Sequence, residues 1–209
     1  MKQLILASQS PRRAEILKNA GYQFVSLPVD VSEIPDKNLS LDEQIIDIAR
    51  RKSKACLRLW NDQRTSGLNH EKGAPVILAA DTLVCFQNQP LGKPENEKMA
   101  FDYLSRLSGQ EHQVKTALSL IDIPSGEELT HLETTHVKFK VLTAEEINAY
   151  IQTKEPMDKA GAYGIQGLGG QFVEKYRGDF NNVVGLPLQA LENLFKLKKW
   201  NLLRLHPAH

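Results

Sequence analysis

Residues Pro75 to Phe86 read PVILAADTLVCF. A short continuous apolar run of this kind is the pattern of a strand buried on both faces. It contains one residue that does not belong in such a place, Asp81. An unpaired ionised carboxylate there is costly, so Asp81 must be protonated, paired with a cation, or open to a cleft that holds a metal or water. A salt bridge serving only the fold is the plain alternative.

The start of the chain, LILASQSPRR, raises the opposite charge problem. Leu4 to Ala7 suit a short buried strand, and Ser10-Pro11 supplies an N-cap hydroxyl followed by proline at the first helical position. Ile16 and Leu17 give that helix an apolar face and Gly21 ends it. Arg12 and Arg13 therefore fall in the first turn, where cations oppose the helix dipole by about 0.3–1 kcal/mol each. The same helix end offers unpaired N–H groups to an anion. Strand, tight turn, free amides and two guanidinium forks together form a seat for phosphate, the alternative being two solvated arginines.

A second helix is predicted from Leu41 to about Leu59, opened by the capping box Ser40 and Glu43. Its stripe is Leu41, Ile45, Ile48, Lys52, Cys56 and Leu59, so a lysine stands among apolar residues. Lys52 either snorkels to the surface or shares an inward polar space with Asp81. Residues 61 to 75 are polar and punctuated by glycine and proline, and read as a long mobile surface loop. After the Asp81 strand, QNQP turns the chain into a short strand at Leu91 to Pro94 that carries Lys93, followed by a helix from Glu97 to Leu107 ended by Gly109. Extended segments are expected at 111 to 122 and 129 to 141. Thr143 and Glu146 then cap a helix reaching about Gln152.

Residues 161 to 170 hold five of the 13 glycines, inside DKAGAYGIQGLGG. This is neither a GxxxxGK[ST] phosphate loop nor a GxGxxG fingerprint. Its glycines allow close backbone approach to a ring or to phosphates, with Tyr163 available for stacking and Gln166 for amide hydrogen bonds. A strand near Phe172 to Tyr176 and a helix after Pro187 complete the chain.

With 209 residues, the chain suits one large domain or two lobes. The formal net charge of +1 argues against bulk nucleic-acid binding, so any polyanion site is local. Cys56 and Cys85 stand singly, as reduced core thiols of a cytoplasmic protein. No apolar run has the length of a membrane span. The six histidines show no zinc-ligand spacing and no serine sits in a GxSxG elbow. The residues suggest only a hard, oxygen-ligated cation, Mg²⁺ or Mn²⁺.

Ser8 to Arg13 (SQSPRR), Glu33, Ala49 to Lys52, Ala80-Asp81-Thr82, Gly92-Lys93-Pro94, Leu107-Ser108-Gly109, Asp158 to Gly167 and Val183 to Leu188 (VVGLPL) occur in an order that resembles the Maf family of nucleoside triphosphate pyrophosphatases. The resemblance runs from residue 3 to about 195, and GAYGIQG is similar to the dTTP/UTP branch. It implies a single Maf-like domain over 1–209: a mixed-sheet α/β fold of two lobes around a central cleft, the Maf/ITPase-like architecture, forming a homodimer. It implies cleavage of a nucleoside triphosphate to the monophosphate and pyrophosphate with a divalent cation. By the same resemblance Asp81 is the general base, Ser8, Arg12, Arg13, Lys52 and Lys93 hold phosphates, Glu33 and Asp81 bind the metal, and Arg12, Thr82 and Gln166 choose the base. The chain has Ser32-Glu33 where members often have Asp-Glu. A regulatory role in septum formation is the alternative that the family name carries. An RNA-binding module is disfavoured by the near-zero charge.

Overall fold

The computed structural model of the protein describes residues 1–65 and 73–205. Its strands are β1 (Lys2–Leu6), β2 (Phe24–Ser26), β3 (Ala74–Phe86), β4 (Gln89–Leu91), β5 (Glu111–Asp122), β6 (Glu127–Phe139) and β7 (Val173–Arg177). Among the described residues they form one seven-stranded sheet in the order β2-β1-β3-β5-β6-β7, with β4 paired to β3. β1 runs parallel to β2 and β3, whereas β3/β4 and β6/β7 are antiparallel, so the sheet is mixed as expected. The chain divides into two compact units. The first comprises Met1–Asp81, Ala117–Leu132 and the chain from Gly185 onward, and the second Thr82–Thr116 and Glu133–Val184.

In the first unit, helix α1 (Pro11–Asn19) starts one residue after Ser10, as the Ser-Pro pair predicts. Ser10 has extended backbone but its side chain makes no capping bond; the Ser10 N–H donates instead to Ser8 Oγ at 3.2 Å. The helix closes in a Schellman motif, with Gly21 N–H donating to Lys18 O and Tyr22 N–H to Leu17 O, both at 2.9 Å. Gly21 takes φ 77°, a conformation that costs a residue with a Cβ about 1 kcal/mol.

Helix α2 (Leu41–Thr65) opens with the predicted box: the Ser40 N–H donates to Glu43 Oε2 at 2.9 Å, and the Glu43 N–H to Ser40 Oγ at 3.4 Å. Its buried face is Ile45, Ile48, Ala49, Ser53, Cys56 and Trp60. Cys56 and Trp60 pack with Ile5, Ala7, Ile77, Ala79 and Ile121, which fastens the helix over β1, β3 and β5. Burying one such Ile or Leu contributes about 1.5–3 kcal/mol. The helix runs six residues past its expected end at Leu59, because Trp60 extends the apolar stripe by another turn. The loop expected over 61 to 75 therefore begins as helix and ends as β3, and its residues 66–72 lie outside the described residues.

The second unit contains α3 (Glu97–Leu107), α4 (Ala144–Gln152) and α5 (Phe180–Val184). Both predicted starts hold. Asn96 Oδ1 accepts from Met99 N–H at 2.9 Å, and Thr143 and Glu146 form a reciprocal box. The core collects Leu104, Leu107, Val137, Phe139, Ile147, Tyr150, Tyr163 and Phe172. The strand expected at Leu91 to Pro94 is instead Gln89–Leu91, which leaves Gly92, Lys93 and Pro94 beyond its end. Pairing starts earlier because Gln87 and Asn88 both take positive φ and make the hairpin turn in two residues. β2 and α5 have no counterpart among the elements expected from the sequence, and α6 (Leu188–Leu197) in the first unit follows Pro187 as predicted.

Candidate active site

Asp81 is the last residue of the first unit, on β3, and its carboxylate is 15% exposed. Lys52 projects from α2 so that its Nζ lies 2.6 Å from Asp81 Oδ1 and 2.6 Å from Glu33 Oε1. The lysine side chain is 13% exposed, whereas Glu33 is 53% exposed. The lysine that breaks the apolar stripe and the aspartate that breaks the apolar strand are thus each other's partners. Burial pushes the Asp81 carboxyl above the ordinary carboxylate range, while the Lys52 ammonium and then the Arg13 guanidinium pull the other way.

Arg13 reaches the same group from the first turn of α1. Its Nε donates to Gly185 O at 2.8 Å and its Nη1 to Ser8 Oγ at 3.2 Å. Burial lowers its pKa, opposed by the charges of Asp81 and Glu33, and the Arg12 charge adds to the lowering. Ser8, Arg13, Glu33, Lys52 and Asp81 are therefore assembled, with half-buried Arg12 beside them. One contributor was not singled out from the sequence. Arg51, paired with Asp47, donates to Ser32 O and to Ile34 O, gripping the backbone on both sides of Glu33. Its signal was only its position next to Lys52 on the helix.

Two carboxylates converge on one positive point, and both are hard oxygen donors. Among the described residues no group of three or more His, Cys, Asp or Glu side chains forms a metal cluster. The two carboxylates Glu33 and Asp81 are the donor type that fits a cation such as Mg²⁺, which takes one or two protein carboxylates and completes its shell with water and substrate phosphates.

Thr82, Lys93 and Gln166 belong to the second unit. Thr82 is half-buried, and its Oγ1 lies 3.0 Å from Thr116 Oγ1. Lys93 is exposed just past β4, where Gly92 O accepts from Gly161 N–H at 3.1 Å. Gln166 is exposed on the turn after Ile165. Tyr163 departs from expectation: it is 5% exposed and its hydroxyl lies 2.8 Å from His112 Nε2, so its ring belongs to the core and is not a stacking surface. It also packs edge-on to Phe139, with centroids 4.8 Å apart. The sequence could not show this, because an aromatic between glycines reads equally as ligand platform or as anchor.

The glycine segment has an organiser in Glu155. Its carboxylate accepts from Tyr150 OH at 2.9 Å, Leu168 N–H at 3.0 Å and Gly169 N–H at 3.3 Å, and Tyr150 OH accepts from Gly164 N–H at 3.2 Å. The segment bearing Gln166 is thereby tied to α4 through the Glu155 carboxylate and the Tyr150 hydroxyl.

The chain is similar to known proteins over nearly its whole length. The family profile described as Maf-like protein matches residues 3–197. A protein of Bdellovibrio bacteriovorus named dTTP/UTP pyrophosphatase is 51% identical over 191 residues, covering 91% of this chain and 96% of that one. Proteins with the same name from Caldicellulosiruptor bescii and Desulforamulus reducens are 42% identical over 204 residues and 40% identical over 197. They cover 98% and 94% of this chain, and 98% and 97% of their own. With a profile spanning nearly the whole sheet and relatives matched end to end, the chain belongs to the Maf-like protein family.

Proposed function

We propose that this protein hydrolyses dTTP and UTP, with 5-substituted uracil forms, between the α- and β-phosphates, releasing the nucleoside monophosphate and pyrophosphate. The observation that carries the reading is Asp81, a carboxylate on a buried strand that shares Lys52 with Glu33 and lies within the field of Arg13. The names of the relatives support the substrate class.

In this reading Asp81 takes a proton from water as the water oxygen bonds to the α-phosphorus. The bond from that phosphorus to the bridging oxygen breaks, and pyrophosphate leaves with the electron pair. Burial raises the Asp81 pKa, which makes the carboxylate a stronger base, and Lys52 opposes that rise. Ser8, Arg12, Arg13, Lys52 and Lys93 bind the phosphates, and their cations offset the charge that builds on the departing group. A divalent cation held by Glu33 and Asp81 supplies further charge stabilisation on the phosphate oxygens. Arg12, Thr82 and Gln166 choose the base. The Gln166 amide can meet the O4 and N3–H edge of uracil or thymine by donating to O4, leaving N3–H to an acceptor beside it, whereas cytosine presents the opposite pattern.

The cytoplasm is the compartment where triphosphates are held and buried thiols such as Cys56 and Cys85 stay reduced. The homodimer implied by the family resemblance is checked by sedimentation. Among the described residues, no helix is long and apolar enough to cross a membrane.

The testing experiment incubates purified protein with dTTP, UTP, CTP, ATP and GTP in Mg²⁺ or Mn²⁺ and identifies the products. Monophosphate and pyrophosphate from dTTP and UTP, lost with EDTA and reduced at least about 10²-fold in Asp81→Asn, are expected. Release of orthophosphate and a diphosphate, or full turnover by Asp81→Asn, overturns the reading.

A further inference from the structure

A buried line of polar groups runs behind Thr82. The Oγ1 atoms of Thr82 on β3 and Thr116 on the neighbouring β5 are 3.0 Å apart. Thr116 Oγ1 donates to the backbone carbonyl of Asn182, in α5, at 3.1 Å. Asn182 is held from behind: its Nδ2 donates to Val114 O at 2.9 Å and to Thr135 Oγ1 at 3.0 Å, and Thr135 Oγ1 donates to Asp179 O at 2.9 Å. Thr116, Thr135 and Asn182 are fully buried.

Each link has one permitted sense. A carbonyl oxygen only accepts, an amide nitrogen only donates, and a threonine hydroxyl carries a single proton. The Thr135 proton lies on Asp179 O, so Thr135 must receive from Asn182, which fixes the orientation of that amide. The Thr116 proton lies on Asn182 O. The 3.0 Å contact between the two threonines therefore requires Thr82 to donate to Thr116, since two oxygens at that distance with no proton between them repel. With its own proton directed backward, Thr82 Oγ1 meets a ligand as an acceptor.

We propose that Thr116 and Asn182 are positioning residues that make Thr82 an obligate acceptor, and that this favours a pyrimidine with N–H at ring position 3. Uracil and thymine carry that hydrogen, whereas cytosine places a lone pair there. The proposal rests on the reading that Thr82 faces the base. It adds to that reading a cause for selectivity that threonine alone lacks, because a freely turning hydroxyl serves a donor and an acceptor equally well. A site whose polar group is fixed rejects the mismatched partner by leaving both groups unpaired.

Thr116→Val keeps the side-chain shape and removes the hydroxyl that receives the Thr82 proton. That proton can then turn outward toward cytosine N3. The ratio of kcat/KM for dTTP over CTP is expected to fall about tenfold, mainly through improved CTP turnover, while Thr116→Ser keeps the wild-type ratio. A folded Thr116→Val protein with the wild-type ratio overturns the proposal. Should the valine variant not fold, Thr116→Cys, with a much weaker acceptor and a smaller side chain, is read by the same ratio and the same criterion. Thr82→Val separates the two failures. If it leaves the ratio unchanged, Thr82 does not face the base and the underlying reading falls with the proposal. If it shifts the ratio while Thr116→Val does not, only the relay is wrong.

Discussion

Lys52 Nζ stands 2.6 Å from Asp81 Oδ1, and the two side chains are 13% and 15% exposed. The pair is open to solvent on one side through Glu33, whose Oε1 is also 2.6 Å from the same nitrogen. A nearly buried ion pair built only for stability would gain little from keeping an exposed second carboxylate on its cation, because desolvation offsets most of the attraction. An arrangement that must trade partners when a polyanion arrives keeps such access.

Removing the lysine charge tests the role of the pair through pH. Burial raises the Asp81 pKa and Lys52 opposes that rise, so Lys52→Met leaves the upward shift less opposed. A general base works ionised, and activity is lost as pH falls through its pKa. The acidic limb of the kcat/KM profile for UTP is therefore expected to move to higher pH in Lys52→Met, together with weaker UTP binding. An unmoved limb would separate Asp81 from the base role.

Arg13→Ala removes a guanidinium that tethers α1 to Gly185 O and to Ser8 Oγ. Hydrogen bonds from a charged donor contribute about 1.5–3 kcal/mol each when deleted. A loss of that order in urea-unfolding stability is expected, along with weakening of UTP binding that exceeds the weakening of UMP binding. Equal weakening of the two nucleotides would leave Arg13 as a tether alone.

Gly161 lies at φ 68°, and a Cβ there would stand 2.8 Å from both γ-carbons of Val84. Gly161→Ala is expected to destabilise the protein by roughly 1–3 kcal/mol, from backbone strain and overpacking together. Adding Val84→Ala should recover the packing share and leave the strain. Thermal melting of the single and double variants measures both parts; a double variant no more stable than Gly161→Ala would show that Val84 is not the obstacle.

His112 is 2% exposed, and burial pushes its pKa down to about 3. The unfolded chain takes up a proton near pH 6.5, which the folded protein refuses. The contribution of His112 is therefore complete above that pH and is lost as pH falls from there toward about 3, at about 1.4 kcal/mol for each pH unit. His112→Gln keeps a polar partner for the Tyr163 hydroxyl without the titration. Its urea midpoint should fall less steeply than that of the wild type between pH 6 and 4, and parallel slopes would refute the assignment.

Local chemistry made much of this structure legible. The Ser40 and Thr143 capping boxes, the helix start at Glu97, the Ser10-Pro11 start of α1 and its Gly21 stop are decided by groups within a few residues of one another, and the structure has each. The mistaken ends have equally local causes: Trp60 carries α2 past Leu59, and the two-residue turn at Gln87-Asn88 shifts β4 forward. The two charges that break their patterns, Lys52 and Asp81, were visible as anomalies because polar groups in apolar runs have to be satisfied somewhere.

By itself, then, the sequence determined where the capped helices begin, which stripe of the long second helix is buried, and which polar residues needed an explanation. These follow from periodicity and from bonds of short reach. Only the tertiary structure decided who supplies the explanation. Lys52 and Asp81 are 29 residues apart, Arg13 and Gly185 172, and Thr116 and Asn182 66. Nothing in the spacing of such residues selects the partner, because a buried proton donor is satisfied by any acceptor the fold brings within about 3 Å. Tyr163 shows the same limit from the other side: flanking glycines allowed it to face a ligand, and the contact with His112, 51 residues away, turned it into the core.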